Sequence, residues 1–125
     1  QAVARQEKSR AEQEAAAQRL RVLTGVRQLY YQALGEQRLL DTRTELAAYA
    51  KRAAAIAREL ANVGLVDKPD VLAAEIEQQR LELSLVTSRH ALERTWRQMA
   101  ALTGDPELQA SPLEGELDQL PAIEA

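Results

Sequence analysis

One short segment, Asn62–Leu72, interrupts a sequence whose pattern is otherwise helical over most of its length. Within it, Gly64 can adopt the left-handed conformation that ends an α-helix. Asp67 suits the N-cap of a following helix, because its carboxylate can accept hydrogen bonds from free backbone N–H groups. Pro69 fits the first turn of that helix, where no hydrogen bond requires its missing N–H group. The sequence therefore predicts two long helices joined by a tip at residues 63–68.

The composition is typical of a protein made of closely packed helices. Hydrophobic residues make up 46% of the 125 residues, but aromatic residues make up only 3%, and Phe is absent. The hydrophobic residues are largely Ala and Leu, which favour helix, as do the abundant Glu, Gln and Arg. Such a chain lacks the bulky side chains of a thick core, whereas its small side chains let helix backbones approach one another. We therefore predict an all-α fold.

Charge and hydropathy narrow the classes of partner. The net charge of −3 is small, and the Arg residues are mixed with Glu instead of forming a basic patch, so we expect no nucleic-acid binding. The sequence contains no run of about 18 apolar residues, which a membrane-spanning helix would require. It also has no signal-peptide pattern starting at Gln1. The sequence begins within a helical pattern and without Met. We therefore expect it to be a piece of a larger protein.

The sequence offers little for catalysis or metal binding. It has no Cys, and His90 is its one His, so several nitrogen or sulfur ligands cannot converge on a metal ion. Asp and Glu are scattered at the spacing of a solvated helix surface. There is no Gly-rich phosphate loop, nucleophile elbow or Ser/His/Asp set. We predict that the protein is not an enzyme and has neither a cofactor nor a metal site.

The first predicted arm, residues 2–63, carries two apolar stripes with seven-residue spacing. The first stripe holds the larger side chains and predicts a coiled-coil seam: Leu46, Tyr49, Ala53, Ile56, Leu60 and Val63. The second stripe lies one residue later, about 100° around the helix, and consists of Ala47, Ala50, Ala54, Ala57, Ala61 and Gly64. Two stripes predict a helix that packs between two neighbours. The alternative is one wide apolar face in an ordinary bundle.

The second predicted arm, residues 69–103, also has two stripes. One, which predicts the second helix seam, consists of Leu72, Ile76, Leu83, Val86 and His90, with Gln79 inside it. The other consists of Val71, Ala74, Leu81, Leu85, Leu92, Trp96, Met99 and Leu102, with Gln78 and Ser88 as polar members. At 1.5 Å per residue the two arms would be roughly 90 and roughly 50 Å long. The fold predicted is a long antiparallel α-helical coiled-coil hairpin with unequal arms, whose longer arm needs a partner that this chain does not supply.

A change in composition after Gly104 divides the chain into a hairpin at residues 1–104 and an extended acidic tail at residues 105–125. Pro106, Pro112 and Pro121 oppose helix, and the tail contains Asp and Glu but neither Lys nor Arg. Some apolar residues of the tail can still dock on a surface. These are Leu108, Leu113, Leu117, Leu120 and Ile123.

Two motifs resemble the outer-membrane efflux protein family typified by TolC. The first is Asn62–Val66, followed shortly by Asp70 and Val71, and the second is Arg97–Gly104 at the end of a long helix. In that family a very long helix turns at a Val-Gly-Leu tip into a shorter helix that ends in a Leu-x-Gly-type signal. The resemblance covers roughly residues 11–104. The tail segment Pro112–Pro121 is similar to the linker after the first of the two family repeats in heavy-metal cation efflux members.

The resemblance implies a homotrimeric conduit in a Gram-negative bacterium, with a β-barrel in the outer membrane and an α-helical barrel in the periplasm. The hairpin tips of such a conduit form its periplasmic entrance. There they meet a periplasmic adaptor (membrane fusion) protein, which is joined to an inner-membrane pump. This chain would then be a periplasmic piece that does not itself span a membrane. Whether a metal ion or a drug is exported stays open.

The resemblance assigns adaptor binding to the tip residues, which are Val63, Gly64, Leu65, Val66 and Asp67. Without the resemblance, the apolar tip residues would form a local hydrophobic contact around the glycine cap. Two other classes of protein also use helical hairpins. One is the periplasmic adaptor itself, whose arms should be nearly matched, and the other is a structural coiled-coil dimerisation module.

Overall fold

The computed structural model describes residues 1–115 and consists of two α-helices packed against each other. Helix α1 is Ala2–Asn62 and helix α2 is Lys68–Thr103. No strand occurs among these 115 residues, which confirms the predicted all-α class. Residues 116–125 lie outside the described part of the chain, and with them the predicted surface contacts of Leu117, Leu120 and Ile123.

Contacts between the helices pair residues in reverse order along the chain, as in a helical hairpin. Near the turn, Arg58 Nε of α1 lies 2.6 Å from Glu75 Oε1 of α2. Far from the turn, Gln32 Nε2 donates to the hydroxyl of Thr95 at 3.2 Å. α1 has 61 residues and α2 has 36, so the helices are about 92 and about 54 Å long. The first 21 residues of the chain are exposed.

Helix α2 ends beside Gly25 of α1. A Cβ atom placed on Gly25 would lie only 2.9 Å from Leu102 Cδ2. The absence of a side chain therefore lets the end of α2 approach α1 closely. Gly35 is different, because a Cβ atom there would meet nothing within 4 Å. The two glycines within α1 thus have different surroundings, and only Gly25 accommodates a neighbour.

The inner face of the hairpin uses the Ala stripe of α1. Ala47, Ala50 and Ala54 are buried, whereas the stripe of larger residues turns away from α2. Its members Leu46, Tyr49, Ala53, Ile56 and Val63 are exposed, and Leu60 is half-buried. On α2 the buried residues are Ser88, Thr95, Trp96 and Met99, and the exposed ones include Leu72, Ile76, Leu83 and Val86. The small Ala side chains on the inner face of α1 allow the two backbones to come close, and the stripe of larger residues on α1 faces solvent.

An apolar cluster lies away from the tip, where three segments meet. Its centre is Ala33, Trp96 and Met99. Leu29, Tyr30, Leu92, Leu108 and Leu113 pack around this centre. The last two belong to residues 105–115, hereafter the strap, which is not helical and lies along α1. Part of the predicted tail therefore belongs to the folded unit.

Candidate functional site

The tip begins with a glycine-capped helix end. Val63 is the C-cap residue of α1, and Gly64 follows in the left-handed conformation with φ of +77°. The N–H of Gly64 donates to the carbonyl of Ala61 at 3.1 Å, and the N–H of Leu65 donates to the carbonyl of Leu60 at 2.9 Å. These two bonds satisfy carbonyl groups that a helix end otherwise leaves free. They also hold the backbone of the tip in a defined direction.

Helix α2 begins with a cap that differs from the one predicted. Asp67 is the N-cap residue, but its side chain makes no capping hydrogen bond. Its backbone carbonyl instead accepts from the N–H groups of Asp70 and Val71, at 3.1 and 3.3 Å. An N-cap side chain normally bonds the second or third amide of the helix. Here the second is the N of Pro69, which has no hydrogen, and the third is the already bonded N–H of Asp70.

The apolar side chains of the tip have two different environments. Val63 and Leu65 are 68% and 74% exposed, so neither is used for packing within the hairpin. Val66 is half-buried and faces an open groove. The groove is lined by Arg58, Ala61, Asn62, Val66, Lys68 and Val71. Val66 therefore fits the local hydrophobic contact, whereas Val63 and Leu65 present an apolar surface that is flanked by the exposed charges of Asp67 and Lys68.

The exposed stripes are the second candidate surface. Tyr49 and Ile56 of α1 are 62% and 55% exposed, and Ile76 and Leu83 of α2 are 65% and 68% exposed. Scattered exposed apolar residues are normal, but a series repeated along one helix face offers a continuous surface for another helix. The structure thus does not bring the two predicted seams of larger residues together. Each is available to a partner other than the opposite arm.

The described residues offer no constellation for metal chemistry. His90 Nδ1 lies 3.3 Å from Glu93 Oε2 on the same exposed helix face. Within residues 1–115, no group of three or more His, Asp and Glu residues is placed to hold a metal ion. Within the part of the chain that the structure describes, neither α1 nor α2 has an apolar stretch long enough to cross a membrane.

The chain matches no known protein family, no curated protein and no solved structure.

Sequence reasoning missed a set of polar contacts between the helices. Thr95 is 1% exposed, and its hydroxyl donates to Glu36 Oε2 at 2.6 Å. Gln32 Nε2 donates to Glu36 Oε1 at 3.0 Å and completes this group. Arg43 donates to the buried hydroxyl of Ser88 and to the carbonyl of Ser84. The available signal was weak: Ser88 is a polar member of an apolar stripe, but nothing in the stripe identifies its partner.

Proposed function

We propose that this chain is part of the periplasmic α-helical barrel of an outer-membrane efflux channel, as in TolC-like tripartite export systems. In this proposal the tip contacts a periplasmic adaptor protein, and through it an inner-membrane pump. The observation that carries the proposal is the outward position of Val63 and Leu65 beside the glycine-capped turn at Gly64. Two apolar side chains held away from the hairpin are suited to contact another protein.

The exposed stripes support the assembly part of the proposal. Each helix has one apolar face toward the other helix and a second face, about 100° away, that the hairpin does not cover. A helix with two such faces can pack between two neighbours, as in a closed ring of antiparallel coiled-coil helices. The 25-residue difference between α1 and α2 supports the same arrangement. Further helices of the parent homotrimer would cover the exposed stretch of α1.

In this proposal the contact between one tip and the adaptor is weak but is repeated around the ring. A conduit of this kind requires no catalytic residue. Two side chains per tip bury little area, so a single tip would bind weakly. Several tips presented together bind more strongly, because each contact after the first forms at a high effective concentration. The proposal therefore includes neither enzymatic activity nor a cofactor. It is compatible with a metal ion or a drug as the exported substrate.

The test is Leu65→Asp in the full-length parent, measured by export and by cross-linking to the adaptor. The side chain is 74% exposed, so the change should leave the helix content intact. We expect weaker cross-linking and weaker export. Glu77→Gln, an exposed change on α2 away from the tip, is the control and should affect neither. Unchanged export and cross-linking for Leu65→Asp would mean that the tip is only a turn.

The exposed stripes also favour a second candidate function, a structural coiled-coil module or the hairpin of the adaptor itself. The sequence that flanks this chain in the parent separates these possibilities. A signal peptide and amphipathic strands before Gln1 would support the channel. A continuous heptad pattern without strands would support a structural coiled coil, and a lipoyl-like β region would support the adaptor.

A further inference from the structure

The strap leaves α2 through a sharp change of direction. Gly104 caps α2 in the left-handed conformation, with φ of +71°. Asp105 then organises a turn: its carboxylate accepts from the N–H of Glu107 at 3.0 Å, and its carbonyl accepts from the N–H of Leu108 at 3.3 Å. The chain next returns along α1 toward Gln37. The strap therefore crosses the part of the hairpin that holds the apolar cluster.

Side chains of helix α1 hold the strap mainly through hydrogen bonds to the backbone of the strap. The side-chain amide of Gln37 bonds both polar backbone atoms of Leu113, accepting from its N–H at 2.9 Å and donating to its carbonyl at 3.4 Å. The hydroxyl of Tyr30 donates to the carbonyl of Glu114 at 2.5 Å. The Gln37 amide thus satisfies both the backbone donor and the backbone acceptor of one strap residue, as a paired β-strand would. These bonds are few and lie near the surface.

The apolar side of the strap covers the cluster around Trp96. Leu108 and Leu113 pack against Ala33, Trp96 and Met99. A Cβ atom on Gly115 would lie 3.2 Å from Leu34 Cδ2, so the strap backbone passes close to a side chain that is only 2% exposed. Burial of this cluster therefore depends on the strap as well as on the two helices.

We propose that the strap is a reversible closure of the apolar groove between α1 and the end of α2. Three polar bonds and two Leu side chains hold it, and it has no helix of its own to stabilise its closed position. Segments with so few contacts open at much lower free energy than the packed helices do. Opening uncovers Trp96 and leaves the helices in place. This inference does not depend on the proposed channel function.

Trp96 is the one tryptophan of the chain, so its fluorescence reports directly on the groove. Gln37→Ala removes both amide bonds, and Leu113→Asp places a charge in the apolar contact. In both variants of the full chain we expect the acrylamide quenching constant of Trp96 to rise about two-fold, with the far-UV circular dichroism unchanged, because local opening leaves the helices intact. Gln28→Ala, on an exposed part of the same helix, should leave quenching unchanged.

A spin label provides a second measurement that does not depend on the tryptophan. The chain has no Cys, so Ser111→Cys gives a single labelling site on an exposed residue of the strap. The label should be restrained in the otherwise unaltered chain and become mobile when Gln37→Ala is added. A label that is mobile from the start would overturn the proposal. So would unchanged Trp96 quenching in both variants, or quenching that rises only together with loss of helix.

Discussion

Arg43 of α1 donates hydrogen bonds to the hydroxyl of Ser88 and, at 3.3 Å, to the carbonyl of Ser84, both on α2. Ser88 is 2% exposed and would have little access to water if Arg43 were lost. The guanidinium therefore reaches across the interface between the two helices. On the α1 side this polar contact adjoins the buried Ala47.

The first prediction concerns this contact. Arg43→Met should lower the free energy of unfolding by about 1–3 kcal/mol, because it leaves the hydroxyl of Ser88 buried without its donor. Adding Ser88→Ala should restore about 1 kcal/mol, since an interface without either polar group has nothing left unsatisfied. Urea unfolding followed by circular dichroism measures both. If the double variant is less stable than Arg43→Met, the hydroxyl stabilises the fold in some way other than through Arg43.

The second prediction compares two neighbouring Ala residues. Ala54 is 0% exposed at the helix interface, whereas Ala53 is exposed in the outer stripe. Ala54→Leu should cost about 1–3 kcal/mol, because three extra carbons force the helices apart. Ala53→Leu adds the same atoms to a solvated position and should change stability by less than about 0.5 kcal/mol. Equal losses in thermal unfolding would mean that the Ala stripe is not the inner face.

The third prediction uses the two glycines within α1. Gly35→Ala should raise the free energy of unfolding by about 0.5–1 kcal/mol, because a Cβ atom there meets nothing within 4 Å and Ala favours helix. Gly25→Ala should raise the free energy of unfolding by less, because its Cβ atom would lie only 2.9 Å from Leu102 Cδ2 and that side chain would have to move. Denaturant midpoints measured side by side give the comparison. A larger gain at Gly25 would contradict the close approach of α2.

The fourth prediction isolates the conformation of the tip. A Cβ atom on Gly64 has open space around it. Any loss of stability in a Gly64 variant must therefore come from the backbone φ of +77° at this residue. Gly64→Ala should cost about 1 kcal/mol, and Gly64→Asn should cost less, because Asn tolerates the left-handed region better. Unfolding curves measure both. If both variants are as stable as the unaltered chain, the tip can turn in another conformation.

The fifth prediction concerns self-association through the exposed stripes. The chain should form oligomers as its concentration rises, because Tyr49 and Leu83 extend stripes that this hairpin leaves uncovered. Tyr49→Glu and Leu83→Glu should each reduce the association without loss of helix. Sedimentation velocity over a range of concentrations is the measurement. A strict monomer at all concentrations would contradict the prediction. An oligomer other than a trimer would not, because under the proposed function helices outside this chain would take part in the homotrimer.

Local signals in the sequence were sufficient for the helices and their ends. Gly64 and Gly104 are each found in the left-handed conformation where a helix stops, and helix-favouring residues fill the intervals between breaks. The position of Asp67 was also predicted, but its side-chain bond was not, because Pro69 and the competing backbone carbonyl remove the amides it needs. At the tip, sequence pattern grouped Val66 with Val63 and Leu65, whereas its half-buried position separates it from them.

Helix propensity and the conformation of glycine act over only a few residues, so the all-α class and the turn at Gly64 follow from the local sequence. The face of α1 that contacts α2 depends instead on how the two helices pack, and there Ala54 is buried whereas Ile56 is exposed. The two stripes share one spacing, and the choice between them depends on how closely two backbones can approach. The closure of the Trp96 cluster was likewise decided in three dimensions, since Gln37 binds the backbone of Leu113, and backbone atoms carry no residue-specific signal along a sequence.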